Sequence, residues 1–198
     1  MYFFFKRTFD ILSSLCVLII LFPFLLIIGL WISIDSPGGP FYRQIRVGKN
    51  GKEFGLLKFR SMRPNSDQSG QLTVGNDSRV TKVGRFIRKY KIDEFPQLLN
   101  IIKGDMSIVG PRPEVPKYVG MYNDDQKRVL NVLPGLTDFA TLEYINEQEI
   151  LGESSDPEKT YIEVVMPDKL SLNLKYVNQA SFWLDIKLIF RTVAKIFS

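Results

Sequence analysis

The chain has 198 residues, of which 45% are hydrophobic and 24% are charged, enough for one domain with its own core and one appended segment. It contains no histidine, which excludes the commonest general base and the commonest transition-metal ligand. The single cysteine, Cys16, excludes a disulfide framework and a zinc cluster. Any catalysis must therefore rest on carboxylates, Lys, Arg, Tyr, Ser or a hard cation held by oxygen ligands.

The net charge of +5 is divided unevenly along the chain. Residues 43–91 are densely basic, whereas residues 113–168 are strongly acidic. A basic surface of this kind attracts an anionic partner. Because the basic stretch follows an apolar segment, we expect lipid headgroups or substrate phosphates as that partner rather than nucleic acid.

The segment Ile11–Ile34 is almost entirely apolar, which predicts a membrane segment rather than a removed signal peptide. Pro23 lies near its middle, where proline bends a helix. Cations flank the segment on both sides and place both flanks in the cytoplasm by the positive-inside rule: Lys6, Arg7, Arg43, Arg46, Lys49 and Lys52. The pattern favours a re-entrant helix, with an ordinary kinked anchor as the alternative.

A β-hairpin is predicted after the linker Pro37–Pro40. Two β-favouring runs, Phe41–Val47 and Glu53–Phe59, flank a segment that contains Asn-Gly, a strong hairpin signal. The segment Lys58–Met62 at the end of the hairpin contains cations. The following segment, Asn65–Asp77, is polar and turn-rich, which indicates a loop.

Two helices are predicted next. Arg79–Tyr90 reads as a basic helix with its apolar side chains on one face. A second helix runs from the Asp93 region to about Lys103 and is closed by Gly104. Asp93 is well placed as its N-cap, with Pro96 tolerated in the first turn.

The acidic second half predicts further helices, with Pro134-Gly135 as a turn and with breaks at Ser154-Ser155 and Pro167. The predicted helices are Asp124–Leu130, Glu143–Gly152 and Pro157–Val165. The last segment, Ser181–Phe197, is amphipathic. Its apolar side chains fit either an interfacial membrane helix or packing on the core of the protein.

Two short motifs could supply catalytic or phosphate-binding side chains. Asp93-Glu94 places two carboxylates at a predicted helix start after a run of cations, where an anion is favoured. Gly110–Pro113 fixes Arg112 between two prolines after a predicted strand, Met106–Val109, which suits bidentate phosphate binding. Taken alone, each motif is better explained by structure: Asp93-Glu94 by an ordinary helix start, and Gly110–Pro113 by a rigid turn with an exposed Arg.

The order of the motifs resembles the bacterial sugar transferase family, the monotopic polyprenyl-phosphate phosphoglycosyl transferases in their minimal form. The resemblance covers nearly the whole chain. It rests on the apolar N-terminal segment and on the segments Lys58–Met62, Arg79–Arg85, Asp93–Asn100, Lys103–Pro113 and Pro134–Thr137.

The resemblance implies a ping-pong reaction that moves a phosphosugar from a UDP-sugar to polyprenyl (undecaprenyl) phosphate and releases UMP. It implies that Asp93 is the nucleophile, that Glu94 helps hold Mg²⁺ and that Arg112 contacts phosphate. Lys58, Arg60 and Arg88 are further candidate contacts to phosphate or to lipid headgroups. The sequence departs from the family pattern at Asp138–Glu143 and at Asn173, which puts sugar recognition in doubt.

We therefore expect a monotopic membrane protein of mixed α/β class, mainly helical, with a short β-hairpin. Residues 1–40 would form the re-entrant helix and linker, and residues 41–198 the transferase domain at the cytoplasmic face of the bacterial inner membrane. Membrane lipids are expected partners, and a homodimer is left open. A one-step transferase acting through a ternary complex and a membrane-anchored scaffold without enzymatic activity are the rival interpretations.

Overall fold

The computed structural model of the protein describes residues 2–64, 66, 72–75 and 77–197, with the side chain of Phe197 excepted. Much of the loop predicted at Asn65–Asp77 lies outside these residues. The strands are β1 (Phe41–Val47), β2 (Glu53–Phe59), β3 (Ser107–Val109) and β4 (Gly135–Thr137). The helices are α1 (Tyr2–Asp35), α2 (Lys82–Lys89), α3 (Gln97–Lys103), α4 (Pro116–Val119), α5 (Phe139–Glu143), α6 (Glu147–Gly152), α7 (Pro157–Thr160), α8 (Met166–Gln179) and α9 (Phe182–Phe197). The predicted fold, mainly helical with a short β-hairpin and a long apolar N-terminal helix, is confirmed.

Helix α1 is long and apolar enough to cross a membrane by length and composition. It begins at Tyr2, earlier than the apolar run alone indicates, and continues through Pro23 without interruption. The structure therefore shows no hairpin within α1, and the re-entrant topology stays a prediction. Most of its apolar side chains face outward, with only a few residues buried against the rest of the chain: Asp10, Ser14, Ile28, Gly29 and Ile32.

Both ends of α1 are held by the same folded unit. Near its start, Lys6 Nζ lies 2.7 Å from Asp185 Oδ2 of α9, and Asp10 Oδ2 accepts a 2.7 Å hydrogen bond from Ser107 Oγ of β3. At its end, Asp35 Oδ2 accepts a 3.2 Å hydrogen bond from the Val83 backbone N–H of α2. The helix thus lies along the domain rather than projecting from it.

The predicted hairpin is confirmed with both strand boundaries. Strands β1 and β2 are antiparallel, with Phe41 opposite Phe59 and Val47 opposite Glu53. The turn depends on Asn50 and Gly51, whose φ angles of 58° and 72° lie in the left-handed region. Asn and Gly adopt that region at low cost, which explains why this sequence signal was reliable.

The other edge of β2 is bonded to the side chain of Asn100 in α3. Asn100 Oδ1 accepts a 2.9 Å hydrogen bond from the Leu57 N–H, and its Nδ2 donates a 2.9 Å bond to the Gly55 carbonyl. The carboxamide therefore makes the two backbone hydrogen bonds that a neighbouring strand would make at this edge of β2. This bond pair fixes the position of Lys58, the next residue along β2.

Strand β3 confirms the strand predicted near Val109, and it pairs in parallel with β4. The turn predicted at Pro134-Gly135 is wrong, because Gly135 begins β4. Gly135 lies against Gly110, and a Cβ atom on Gly135 would stand 2.1 Å from the Gly110 nitrogen. This close approach sets the course of the Gly110–Pro113 segment.

The helix predictions for the second half are correct only in part. The segment predicted at Asp124–Leu130 is a 3-10 helix over Gln126–Asn131, and the helix predicted over Glu143–Gly152 divides into the end of α5 and the whole of α6. Pro167 does not break the chain. A π-turn over Tyr161–Val165 leads directly into α8, and Pro167 occupies the first turn of that helix.

Helix α9 matches the predicted amphipathic helix within one residue and uses two apolar sides. Leu188 is fully buried in a cluster with Val109 and Tyr176. Trp183 and Phe190 are 80% and 71% exposed. The helix therefore packs on the core and also presents apolar side chains outward.

Candidate active site

A cavity of about 1,920 Å³ opens beside β2, the α2–α3 connection, the Gly110–Pro113 segment and α8. All six side chains that the sequence singled out as site residues line it: Lys58, Arg60, Arg88, Asp93, Glu94 and Arg112. Residues separated by more than fifty positions are thus brought to one place.

Asp93 does not cap α3, contrary to the sequence prediction. It lies in a separate 3-10 turn, Ile92–Glu94, which the chain enters through Lys91 at a φ of 56°. The N-cap of α3 is Pro96, so the helix begins too late for Asp93 to reach its free N–H groups. No hydrogen bond to the Asp93 carboxylate is made by the described residues, and the group stays available for other chemistry.

Burial dominates the electrostatics of Asp93, which is only 7% exposed. Desolvation raises the pKa of Asp93, and the neighbouring charge of Glu94 raises it further. Lys58, Arg88 and Lys91 act in the opposite direction. The nearby cations therefore offset part of the effect of burial on the pKa of Asp93.

Glu94 is paired with Arg112. Arg112 Nη1 donates a 3.2 Å hydrogen bond to Glu94 Oε2, and Arg112 Nη2 donates to Oε1. Lys58 Nζ lies 4.0 Å from Glu94 Oε1. Burial acts to raise the pKa of Glu94, but Arg112 and Lys58 outweigh it and lower the pKa to about 2.

The same cluster shifts the pKa values of its cations Lys58 and Arg112. Burial lowers the pKa of Lys58 to about 8, although the charge of Glu94 opposes this change. The Glu94 charge raises the pKa of Arg112 above its ordinary value. Glu94 is thus the more acidic carboxylate of the pair, beside two cations, and Asp93 is the more basic one.

Arg112 is held in place by Asp138, a residue that the sequence flagged only as a departure from the family pattern. The Arg112 backbone N–H donates a 3.0 Å hydrogen bond to Asp138 Oδ2. Asp138 is fully buried and caps α5 by accepting a 2.6 Å bond from the Thr141 N–H. Asp is a common N-cap residue, so a correctly predicted start of α5 would have revealed this role.

Arg88 and Arg60 differ in how their guanidinium groups are used. Arg88 donates to Ser61 Oγ at 2.9 Å and to Thr73 Oγ1 at 3.4 Å, and its Nη1 has no partner among the described residues. Arg60 Nη2 donates to the Ser36 carbonyl at 2.8 Å and to the Gly38 carbonyl at 3.2 Å. Arg88 therefore keeps N–H capacity at Nη1. Arg60 holds the connection after α1 through Nη2, and its Nε also lacks a partner among the described residues.

The Asp93-Glu94 pair has the donor chemistry of a two-carboxylate site that would share Mg²⁺ with phosphate groups. No group of three or more acidic, His or Cys side chains able to hold a metal lies in the part of the chain that the structure describes. Mg²⁺ is commonly held by only one or two carboxylates, together with waters and substrate phosphates. Glu94 retains lone pairs beyond those used by Arg112, and the described residues donate nothing to the Asp93 carboxylate.

Comparison with known proteins gives one family match and several relatives. The family model described as bacterial sugar transferase matches residues 1–198. A UDP-N-acetylgalactosamine-undecaprenyl-phosphate N-acetylgalactosaminephosphotransferase from Aeromonas hydrophila is 37% identical over 98% of this chain and 44% of its own length. The uncharacterized sugar transferase EpsL of Bacillus subtilis is 38% identical over 96% of this chain and 86% of its own length.

A third relative is the UDP-glucose:undecaprenyl-phosphate glucose-1-phosphate transferase of Escherichia coli, 36% identical over 96% of this chain and 39% of its own length. The chain thus spans less than half of the Aeromonas and Escherichia proteins and most of the Bacillus protein.

The Glu94–Arg112 pair makes a testable contribution to stability. Arg112→Met leaves Glu94 charged, largely buried and without its bidentate partner, so we expect the free energy of unfolding to fall by about 1–3 kcal/mol. Adding Glu94→Gln to that variant should recover part of the loss. Urea unfolding in detergent micelles of the wild type, both single variants and the double variant measures the coupling.

Arg128→Met is the matched control, because Arg128 forms an exposed pair with Asp125 and should contribute at most about 1 kcal/mol. Strict additivity of the two site substitutions would contradict the pairing.

Proposed function

This chain belongs to the bacterial sugar transferase family, and on that premise we propose that it transfers a phosphosugar from a UDP-sugar to polyprenyl (undecaprenyl) phosphate. The relatives from Aeromonas and Escherichia carry the names of undecaprenyl-phosphate sugar phosphotransferases, which supports this reaction class. The observation that carries the proposal is the buried carboxylate pair Asp93-Glu94 in one cavity with Lys58, Arg88 and Arg112.

In the proposed first step, an Asp93 carboxylate oxygen attacks the β-phosphorus of the UDP-sugar. A P–O bond to Asp93 forms, the bond between that phosphorus and the bridging oxygen breaks, and UMP leaves with the electron pair. In the second step a phosphate oxygen of polyprenyl phosphate attacks the same phosphorus, and the Asp93 carboxylate leaves. The carboxylate of Asp93 is buried, has a raised pKa and accepts no hydrogen bond from the described residues, which supports the nucleophilic role.

The cations around the pair would hold the phosphates and offset their charge. Arg112 has a planar guanidinium of the kind that suits phosphate, although its Nη1 and Nη2 also donate to Glu94, and its backbone is fixed by Asp138. Arg88 Nη1 has no partner among the described residues, and the Lys58 side chain extends from β2 to within 4.0 Å of Glu94 Oε1. Arg60 has the weakest support as a phosphate contact, because its Nη2 already donates to carbonyls of the linker.

Glu94, with Asp93 beside it, would hold Mg²⁺ together with the substrate phosphates. The ion would offset charge on the diphosphate and on the departing UMP. Glu94 is suited to this role because its lowered pKa keeps it ionised.

Release of UMP tests the proposed function. Purified wild-type protein in detergent, incubated with Mg²⁺, undecaprenyl phosphate and each of several UDP-sugars, should release UMP with at least one of them. Asp93→Asn keeps the size of the side chain but lacks the nucleophile, so release should fall by at least about a thousandfold. Asp124→Asn, a change at a fully exposed carboxylate, is the control and should leave the rate unchanged.

Two outcomes would decide against the proposal. Near-normal UMP release by a folded Asp93→Asn protein would favour a one-step reaction through a ternary complex. Absence of UMP release by the wild type with every UDP-sugar would favour a membrane-anchored scaffold.

We further propose a monotopic arrangement in which residues 1–40 anchor residues 41–198 at the cytoplasmic face of the bacterial inner membrane. Both ends of α1 bond to the same domain, through Lys6–Asp185 and through Asp35–Val83. The outward side of α1 is apolar, with exposed side chains that include Phe4, Leu12, Ile19, Ile20, Phe22, Ile27, Leu30 and Ile34. Phe86 of α2 and Phe190 of α9 are also exposed, which supports a shared lipid-facing surface.

Thiol labelling tests this topology. In a Cys16→Ser background, Phe3→Cys and Asn50→Cys place single thiols on the two sides of the apolar segment. Both should resist a membrane-impermeant maleimide in intact spheroplasts and react after lysis, because both flanks lie in the cytoplasm. Labelling of the Phe3→Cys protein alone in intact spheroplasts would show that α1 crosses the membrane.

A further inference from the structure

Helix α8 forms a wall of the cavity that differs in character from the cation-rich part around Asp93. It contributes Met166, Lys169, Leu170 and Asn173, which follow the i, i+3, i+4, i+7 spacing of one helix face. The charge of Lys169 is offset by Glu147, whose Oε2 lies 2.7 Å from Lys169 Nζ. This wall therefore offers hydrogen-bonding groups with little net charge.

Asn173 is the buried polar residue of this wall. It is 4% exposed, and no donor among the described residues reaches its Oδ1. A buried carbonyl oxygen without a donor is unfavourable, so such an atom is normally satisfied by water or by a ligand. Asn173 lines the main cavity and, together with Arg112, a smaller cavity next to it.

We propose that Asn173 is a specificity-determining residue that accepts a hydrogen bond from the sugar of the nucleotide sugar, an inference that rests on the proposed function. The phosphates require cations, which Lys58, Arg88 and Arg112 provide. The sugar is joined directly to the phosphate that Asp93 attacks, whereas the nucleoside lies one phosphate further away. Because Asn173 lines both of the cavities that Arg112 lines, the sugar is the part of the donor that would reach it.

The sugar and the Asn173 carboxamide have complementary hydrogen-bonding groups. A sugar presents hydroxyl groups and, in acetamido sugars, an amide N–H, all of which donate to a carbonyl oxygen. The carboxamide is neutral and does not repel the adjacent phosphate. A site built to bond one sugar group discriminates against donors that lack it, because the buried oxygen is then left unpaired.

Binding measurements on Asn173→Leu test the proposal. The substitution keeps the volume and removes the polar atoms. Calorimetry in detergent with UDP-glucose, UDP-galactose, UDP-N-acetylglucosamine, UDP-N-acetylgalactosamine and UDP alone is made in an Asp93→Asn background, where turnover is blocked. We expect the best-bound nucleotide sugar to bind about three- to tenfold more weakly, UDP to bind unchanged and the thermal unfolding temperature to stay equal or rise.

The matched control is Ser171→Ala, an exposed position on the same helix, which should change none of these values. Asn173→Ala serves as the second variant if Asn173→Leu does not fold. An equal loss of affinity for UDP and for the nucleotide sugar, or no loss for either, would overturn the proposal. Wild-type protein that binds nucleotide sugars but releases no UMP would refute the proposed function, while the comparison of UDP with UDP-sugar would still decide the role of Asn173.

Discussion

Asp93 and Glu94 are neighbouring carboxylates in a poorly hydrated place, and burial of two like charges is tolerated only where cations lie beside them. Two hydrogen-bond arrangements elsewhere in the fold position these cations. Asn100 fixes the outer edge of β2 and with it Lys58, and Asp138 fixes the backbone of Arg112. Lys58 and Arg112 are thus each positioned by separate hydrogen bonds. The result is a site in which Glu94 stays ionised and Asp93 remains the more basic group.

The proposed membrane arrangement is supported by a second set of polar bonds. Lys6 pairs with Asp185, which also accepts hydrogen bonds from the Tyr2 and Tyr176 hydroxyls at 2.9 Å and 2.7 Å. These contacts join the start of α1 to α8 and α9. In the proposed monotopic arrangement, this long apolar helix, bonded to the domain at both ends, would present its outer side to lipid. The carboxylate pair would then lie within reach of a soluble nucleotide sugar and a lipid phosphate.

The sequence predicted best where the determining signals are local. The hairpin depends on Asn50-Gly51, and α9 depends on a sixteen-residue periodic pattern, so both were found. Strand β4 has three residues and exists because it pairs with the distant β3, which no local pattern reveals. The cap assigned to Asp93 failed because Pro96 delays the start of α3. All six predicted site residues line one cavity. They were selected from the sequence by the order of the family motifs, because physical chemistry alone did not single them out.

The central claim is that Asp93 carries the phosphosugar between the two half-reactions. Incubating the protein with Mg²⁺ and a nucleotide sugar radiolabelled in the sugar, without lipid acceptor, tests it directly, followed by mass spectrometry of the peptide that contains Asp93. The account predicts one phosphosugar on Asp93, discharged when undecaprenyl phosphate is added. A protein that turns over normally with both substrates but never carries label on Asp93 would contradict it.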